Sequence, residues 1–220
     1  MPQPTIAIGD IHGCDRTLRA LWEKIRNHDD ATFVFLGDYI DRGPSSAQVV
    51  EFLIEIEKQA SCIFLLGNHE QMLLKALEGE NMNRWLHFGG AETLESYGTS
   101  LDELTLPEHH LAFFKRCVPY YQNEHYFFAH AGAPPHMTLS EAVRNTEHAD
   151  YFLWGNEHLS APELPWEKTV VFGHTHRAYP ILKPKLIGID TGCVYDEPGY
   201  GKLTAVLLPE ERFIQQVRLD

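Results

Sequence analysis

Three short apolar segments in the first third of the chain each end in a glycine followed by a polar residue. The pairs Gly9-Asp10, Gly37-Asp38 and Gly67-Asn68 are 28 and then 30 residues apart, about the length of one strand–helix–strand unit. Continuous apolar segments of this kind are typical of parallel strands that are buried on both faces. Because such crossovers are right-handed, the three strands are predicted to run parallel and to end at one edge of a sheet.

Three later apolar segments also end in residues that can bind metal or carry charge, namely His130, His174 and Asp190. Ligands of open α/β sheets collect at the carboxyl ends of the strands, so two aspartates, one asparagine and two histidines from these strand ends are expected to converge at one edge. Oxygen and imidazole donors without thiolate suit a hard or borderline divalent cation such as manganese, iron or zinc. Several ligands of this type predict a two-metal hydrolase site.

The pattern along the chain predicts an α/β fold with two packed mixed β-sheets flanked by helices, in one domain that covers residues 1–220. Residues 81–122 are predicted to be mostly helical, and residues 133–165 to form a cap or a surface excursion. The predicted strands are 5–9, 32–37, 62–66, 125–130, 169–173, 186–190, 203–208 and 212–217. The predicted helices are 14–27, 45–59, 69–78 and 107–115.

The formal net charge of −13 argues against a nucleic-acid partner, because no block of lysine or arginine offsets it. An anionic substrate would need local positive charge, which bound metal ions can supply. No apolar segment approaches the length of a membrane span, and no signal peptide is expected, because no cationic start with an apolar stretch is seen before the first strand. The four cysteines are scattered, which is typical of a reducing compartment, so a cytoplasmic location without a membrane partner is predicted.

Five short motifs follow one another in a specific order. They are GDIHG at 9–13, GDYIDRG at 37–43, GNHE at 67–70, HAG at 130–132 and GHTH at 173–176. Together they resemble the calcineurin-like metallophosphoesterases, and within them the phosphoprotein phosphatase branch, with small bacterial and phage serine/threonine phosphatases like that of bacteriophage lambda. The segments 85–98 and 189–195 also look like that bacterial group and its diadenosine tetraphosphatase relatives. The resemblance runs from Gly9 to about Leu207.

The resemblance implies a site for two divalent metal ions, with manganese expected and iron or zinc as alternatives. Asp38 would bridge the ions, because one carboxylate has two oxygens for two metals. The first metal would take Asp10, His12 and Asp38, and the second would take Asp38, Asn68, His130 and His174. Asp10 and His12 stand two apart on what is predicted to be an extended strand exit, so both should face the same side.

His176 is a further candidate ligand of the first metal. In the wider superfamily the second histidine of a GHxH motif binds that ion, and an extended backbone would direct both His174 and His176 toward the metal pair. A supporting role outside the metal's ligand set remains equally open for His176.

The resemblance implies that His69 and Asp41 together protonate the leaving alkoxide, while Arg42 binds the phosphoryl group. A carboxylate partner fixes the tautomer of an imidazole, and a planar guanidinium matches two phosphoryl oxygens. Asn68 and His69 are also expected to contact the substrate. Glu70 is expected to be structural and to hold a loop through backbone hydrogen bonds.

One position departs from the pattern of the bacterial enzymes. Their second phosphate-binding arginine stands in a segment that resembles LWIRE, whereas residues 153–157 read LWGNE here, with Asn156 at that position. The neutral amide puts the usual two-arginine clamp in doubt. Arg177 or Arg144 are candidates to replace the missing cation, and a local misalignment is the alternative.

The leading hypothesis is a serine/threonine protein phosphatase, with phosphotyrosine as a further candidate substrate, that uses a metal-bridging hydroxide and no phosphoenzyme. Its partners would be phosphorylated proteins or small phosphoesters. The alternative is a hydrolase of dinucleoside polyphosphates such as diadenosine tetraphosphate, which shares the same motifs. A catalytically inactive binding module is a third hypothesis, which the intact set of candidate ligands disfavours.

Overall fold

The computed structural model describes residues 4–28, 30–145 and 149–220. Within these residues, the strands are β1 (Thr5–Ile8), β2 (Thr32–Phe35), β3 (Ser61–Phe64), β4 (Tyr120–Gln122), β5 (Tyr126–Ala129), β6 (Thr169–Phe172), β7 (Ile181–Lys183), β8 (Leu186–Gly188), β9 (Lys202–Leu208) and β10 (Arg212–Val217). The α-helices are α1 (Asp15–Ile25), α2 (Ser46–Glu57), α3 (Asn68–Leu77), α4 (Met82–Trp85), α5 (Ala91–Tyr97), α6 (Glu108–Arg116), α7 (Leu139–Arg144) and α8 (Tyr151–Trp154).

The strands form two mixed sheets of five strands each. The first has the order β10-β9-β1-β2-β3, in which β1, β2 and β3 are parallel and β9 is antiparallel to β1. The second has the order β4-β5-β6-β8-β7, in which β5, β6 and β8 are parallel and the two edge strands are antiparallel. The prediction of two mixed sheets flanked by helices is therefore confirmed.

Alternation along the central strands explains why their sequences are mostly apolar. In β1, Ile6 and Ile8 pack beneath α1 and α2, whereas Ala7 faces the second sheet. In β6, Val171 lies between the sheets and Phe172 packs toward α7 and α8. Because side chains alternate in direction along a strand, burial on both faces requires an unbroken apolar segment. The result is a helix–sheet–sheet–helix arrangement with three apolar layers.

The last two predicted strands lie in the first sheet, where β9 pairs with β1 and β10 covers the edge. The sequence pattern did not reveal this return, nor the three-residue edge strands β4 and β7. The described residues of the segment 133–165, which exclude 146–148, form more than a surface excursion, because Leu139 and Phe152 are buried on the outer face of the second sheet. That residues 1–220 form one domain stays a prediction. None of the helices among the described residues is long and apolar enough to cross a membrane.

Candidate active site

The carboxyl ends of the parallel strands in both sheets meet and bring the predicted ligands together. Asp10 follows β1, Asp38 follows β2, and Asn68 begins α3 just after β3. His130 follows β5 in the second sheet, and His174 follows β6. The first four are at most 3% exposed and His174 is half-buried, so the arrangement concentrates two carboxylates and two imidazoles in a region largely closed to water.

One cluster of candidate ligands is formed by Asp38, Asn68, His130 and His174. The Asn68 Oδ1 atom lies 2.8 Å from His130 Nε2 and 3.0 Å from His174 Nδ1. The two imidazole nitrogens are 3.2 Å apart, and Asp38 Oδ1 lies 3.4 Å from His130 Nε2. These atoms surround one point from several sides, as the ligands of a single ion do.

Backbone carbonyls fix the tautomers of two candidate ligands, His130 in this cluster and His12 near it. His130 Nδ1–H donates to the Leu36 carbonyl at 2.9 Å, and His12 Nδ1–H donates to the Ile40 carbonyl at 2.9 Å. A neutral imidazole held in this way presents the lone pair of Nε2 to the site, which is the usual orientation of a metal-binding histidine. A cation bound by these lone pairs and the Asn68 oxygen would keep both imidazoles neutral in this orientation.

The pKa values of the two histidines in this cluster also favour a bound cation. Burial opposes protonation of His130, but the Asp38 carboxylate beside it raises the pKa of His130 to about 10. Burial and the nearby His130 lower the pKa of His174 to about 3. The metal-free cluster thus needs one positive charge next to Asp38, and a divalent cation bound by the same atoms would supply it in place of the proton.

A second cluster shares Asp38 with the first. Its members are His12, Asp38 and His69, with His12 Nε2 3.5 Å and His69 Nε2 3.9 Å from Asp38 Oδ2. Asp10 lies outside this three-residue group, but its Oδ1 atom is buried without a hydrogen-bond partner in the structure. Its Oδ2 atom accepts a hydrogen bond from the His174 backbone at 2.9 Å. The geometry is compatible with two ions that share Asp38, and the individual ligand roles remain predictions.

The backbone of the site is strained. Five of the eight non-glycine residues with positive φ among the described residues are candidate site residues, and each such conformation costs on the order of 1–3 kcal/mol. They are His12 (47°), Asp38 (52°), Asp41 (72°), Arg42 (69°) and His174 (61°). The extended backbone expected at His12 and His174 is therefore wrong, because tight turns rather than strand alternation direct these two side chains.

His69 and Asp41 form the buried pair that the sequence predicted. His69 Nδ1–H donates to Asp41 Oδ2 at 2.7 Å, while His69 Nε2 is buried with no hydrogen-bond partner in the structure. The Asp41 carboxylate also accepts hydrogen bonds from the Trp85 indole at 3.0 Å and from the Thr93 hydroxyl at 2.6 Å. Three donors therefore hold the carboxylate, and the carboxylate holds the imidazole with its other nitrogen directed into the site.

Trp85 and Thr93 were missed as supporting residues, although both lie in the segment 85–98 that carries the resemblance. A π-helical turn at Leu86–Gly90 separates them and brings both donors to Asp41.

Asp190 was noted in the sequence only as a residue at the end of a strand. The Asp190 carboxylate is buried and accepts a hydrogen bond from Gly192 N at 2.9 Å. The pKa of Asp10 is raised first by its own burial and then by the negative charge of Asp190.

We predict that Thr93→Val destabilises the protein by about 1–3 kcal/mol and lowers turnover. The substitution keeps the side chain's shape but removes a hydroxyl that donates to Asp41 Oδ1 and accepts from Asp41 N at 2.9 Å. Urea denaturation would measure the free energy of unfolding. Thr99→Val is the control, because that hydroxyl lies just after α5, the helix that contains Thr93, but bonds only the exposed Glu103 carbonyl. Equal stability of the two variants would contradict the prediction.

Arg42 lies next to the second cluster. Its Nη1 atom donates to His12 Nε2 at 2.7 Å, its guanidinium lies 5.8 Å from the centre of the Tyr195 ring, and its backbone N–H donates to the Gly89 carbonyl. Gly89 has φ of 107°, and a Cβ there would come within 2.8 Å of the Arg42 backbone nitrogen. Position 89 therefore requires glycine, because a larger residue would disturb the contact between the π-helical turn and Arg42.

Glu70 has the structural role predicted for it. Its Oε2 atom accepts from the backbone N–H groups of Asp38 and Gly67, and its Oε1 atom accepts from that of Tyr39 at 2.8 Å. Burial and the nearby Asp38 raise the pKa of Glu70 to about 7. The side chain therefore fastens the turn that contains Asp38 to the start of α3.

The remaining candidates lie at the margin of the site. The His176 ring packs against Tyr195 at 4.7 Å and Tyr200 at 5.3 Å, and it is not a member of the metal-compatible clusters found among the described residues. Its role as a ligand stays a prediction. Asn156 is exposed and precedes a short 3-10 turn at Glu157–Leu159.

Arg144 and Arg177 were considered as replacements for the missing cation. The side-chain hydrogen bonds that they form lie away from the two clusters. Arg144 donates to the Ser140 carbonyl within α7, and Arg177 donates to the carbonyl of its neighbour His176 at 3.5 Å. Arg84, which the sequence did not single out, instead packs over Trp154 in the same LWGNE segment, 4.8 Å from the ring centre.

Comparison with known proteins adds evidence that is independent of this geometry. The family model described as calcineurin-like phosphoesterase matches residues 4–178. A fold similar to this one occurs in the crystal structure of a protein described as a candidate diadenosine tetraphosphatase, with a TM-score of 0.72, 24% identity and coverage of 99% of this chain and 95% of that one. A Saccharomyces cerevisiae protein serine/threonine phosphatase has a TM-score of 0.66, 18% identity, and coverage of 99% and 81%.

Curated relatives match nearly the full length of the chain. The asymmetrical bis(5'-nucleosyl)-tetraphosphatase PrpE of Bacillus subtilis is 30% identical over 92% of this chain and 90% of its own length. The enzyme of the same name from Oceanobacillus iheyensis is 28% identical, with 94% and 89% coverage. A symmetrical bis(5'-nucleosyl)-tetraphosphatase of Aromatoleum aromaticum is also 28% identical, with 95% of each chain covered.

Proposed function

Because the chain belongs to the calcineurin-like phosphoesterase family, whose model matches most of its length, we propose that it hydrolyses dinucleoside polyphosphates such as diadenosine tetraphosphate. The observation that carries this proposal is the similarity to bis(5'-nucleosyl)-tetraphosphatases over more than nine-tenths of the chain. It favours the alternative of the sequence analysis over its leading hypothesis. The solved protein phosphatases are only 18% identical, so their likeness concerns the fold.

The donor set supports a metal-dependent phosphoester hydrolase. Four of the ligands predicted from the sequence, His12, Asp38, His130 and His174, lie in the two clusters, and Asp38 is common to both. When bound, such ions supply positive charge to phosphoryl oxygens and make water more acidic. Arg42 would add the fork of N–H groups that matches two phosphoryl oxygens, since a cation on His12 Nε2 would replace the hydrogen bond that Arg42 now donates there.

In this proposal His69 protonates the leaving oxygen. Its Nδ1–H is bound to Asp41, so the proton that can be transferred is carried by Nε2, the atom without a partner. Trp85 and Thr93 keep the Asp41 carboxylate in place while the imidazole changes charge. The pair is buried, which excludes bulk water from the hydrogen bond that orients the imidazole.

A substrate panel tests the proposal. With added manganese, we expect kcat/KM for diadenosine tetraphosphate to exceed that for a phosphoserine peptide by about 10-fold or more, a difference of about 1.4 kcal/mol in transition-state binding. Chromatography of the products distinguishes two cleavage modes. Symmetrical hydrolysis yields two molecules of ADP, whereas asymmetrical hydrolysis yields ATP and AMP. Protein stripped with a chelator should be inactive and should recover when manganese is returned. Preferential hydrolysis of the phosphopeptide would overturn the proposal in favour of a protein phosphatase.

A further inference from the structure

A groove lies beside the reaction centre, between α3, α4 and α8. It has a volume of about 330 Å³, which is within the range of small-molecule sites, and Lys75, Arg84 and Trp154 line it. Trp154 also lies next to the candidate metal clusters, because the centre of its ring is 6.2 Å from that of the His174 ring. A molecule bound at the clusters could therefore extend into the groove past this indole.

The groove concentrates positive charge in an otherwise acidic protein. Lys75 comes from α3, Arg84 comes from α4, and among the described residues neither forms an ion pair with a carboxylate. The one acidic side chain in the lining, Asp150, accepts a hydrogen bond from Gln71 at 3.1 Å. With a net charge of −13 over the whole chain, two unpaired cations in one groove form a local attraction for an anion.

The groove also offers flat π surfaces. The Arg84 guanidinium carbon lies 4.8 Å from the centre of the Trp154 ring, and the indole N–H donates to Gln71 Oε1 at 2.9 Å, which fixes the ring. Nucleobases stack on aromatic rings and on guanidinium planes, and such stacking contributes about 1–3 kcal/mol per base. Cations together with a stacking plane match a nucleotide better than they match a phosphorylated side chain alone.

We propose that the groove of Lys75, Arg84 and Trp154 is a nucleotide subsite that binds the part of the substrate beyond the reacting phosphorus. Lys75 and Arg84 contact its phosphates, and the layer formed by Arg84 and Trp154 stacks on its base. The inference rests on the proposed function and deepens it. In this subsite Arg84 is a cation next to the LWGNE segment, where Asn156 stands in place of a charged residue.

Tryptophan fluorescence tests the subsite without turnover. The other three tryptophans, Trp22, Trp85 and Trp166, are at most 6% exposed, so a bound base can reach only Trp154. We expect ADP, a product-sized probe, to quench the fluorescence of the metal-loaded protein, and the quenching to be absent in Trp154→Phe. Arg84→Gln, at an exposed position that should tolerate the change, should raise the Kd for ADP about 10-fold or more. Quenching that persists in Trp154→Phe, or an unchanged Kd in Arg84→Gln, would overturn the proposal.

Kinetics supply the second measurement. We expect Arg84→Gln and Lys75→Gln to lower the ratio of kcat/KM for diadenosine tetraphosphate to kcat/KM for an aryl phosphate by about 10-fold each. The matched control is Arg116→Gln, because Arg116 also lies over an aromatic ring, Phe113 at 5.0 Å, but on α6. The control should leave the ratio unchanged. A ratio that does not fall in either groove variant would contradict the subsite.

The two proposals fail in different ways. If diadenosine tetraphosphate is hydrolysed but the groove variants leave both the ratio and the ADP affinity unchanged, the subsite is wrong and the proposed function stands. If the dinucleotide is not hydrolysed but ADP still quenches Trp154, the proposed substrate is wrong and the groove remains a nucleotide site. If the groove variants weaken only phosphopeptide turnover, the cations serve a protein substrate and the inference is overturned.

Discussion

Asp38→Asn is expected to abolish phosphoester hydrolysis and to reduce the bound metal well below that of the wild type. The Asp38 carboxylate lies 3.5 Å from His12 Nε2 and 3.4 Å from His130 Nε2, so it is the one group common to both clusters. An amide has the same shape but brings no charge and turns two hydrogens toward one cluster. We expect a loss of activity of at least about 10³-fold, beyond the 10–100-fold typical of groups that only orient ligands.

Metal content by elemental analysis and kcat/KM with excess manganese measure the effect of Asp38→Asn. Asp196→Asn is the matched control, because Asp196 is fully exposed and pairs only weakly with Arg218 at 3.9 Å. The control should keep both its metal and its activity. If Asp38→Asn retains normal metal content and near-normal turnover, Asp38 does not bridge two ions.

The sequence was sufficient to predict that the candidate ligands lie close together. Apolar segments buried on both faces identify parallel strands, and parallel strands deliver the residues at their carboxyl ends to one place. Asp38, Asn68 and His130 are together for this reason, although they lie far apart in the chain. The return of β9 to a position beside β1 could not be predicted, because periodicity reports which faces are buried and not which strand is the neighbour.

The support around the ligands was also beyond the sequence pattern. The left-handed conformations of Asp41 and Arg42 depend on tertiary contacts such as the hydrogen bond from Arg42 N to the Gly89 carbonyl. Thr93 donates to a carboxylate 52 positions away, and no local pattern encodes such a pair. Arg84 escaped notice because an exposed arginine on a short helix looks like ordinary surface until the indole beneath it is known.

His69→Asn is expected to lower kcat by about 10²–10⁴-fold for an alkyl ester such as a phosphoserine peptide, while the bound metal stays at the wild-type level. The reason is the geometry of the pair, in which Asp41 holds Nδ1 at 2.7 Å and leaves Nε2 directed into the site. The matched control is His110→Asn, which also removes a buried imidazole held by a carboxylate, Glu51 at 2.9 Å, but on α6. The control should keep its activity.

The leaving group decides how large the His69→Asn defect becomes. An alkoxide must be protonated as it leaves, whereas an aryl oxide, or a nucleotide phosphate whose second pKa is about 6, needs little help. We therefore expect the defect to shrink for aryl phosphate and for diadenosine tetraphosphate. Equal losses for all three substrates would exclude His69 as the acid. A fall in bound metal would instead make His69 a ligand, which its place in the cluster with His12 and Asp38 allows, so metal content and leaving-group dependence together separate the two roles.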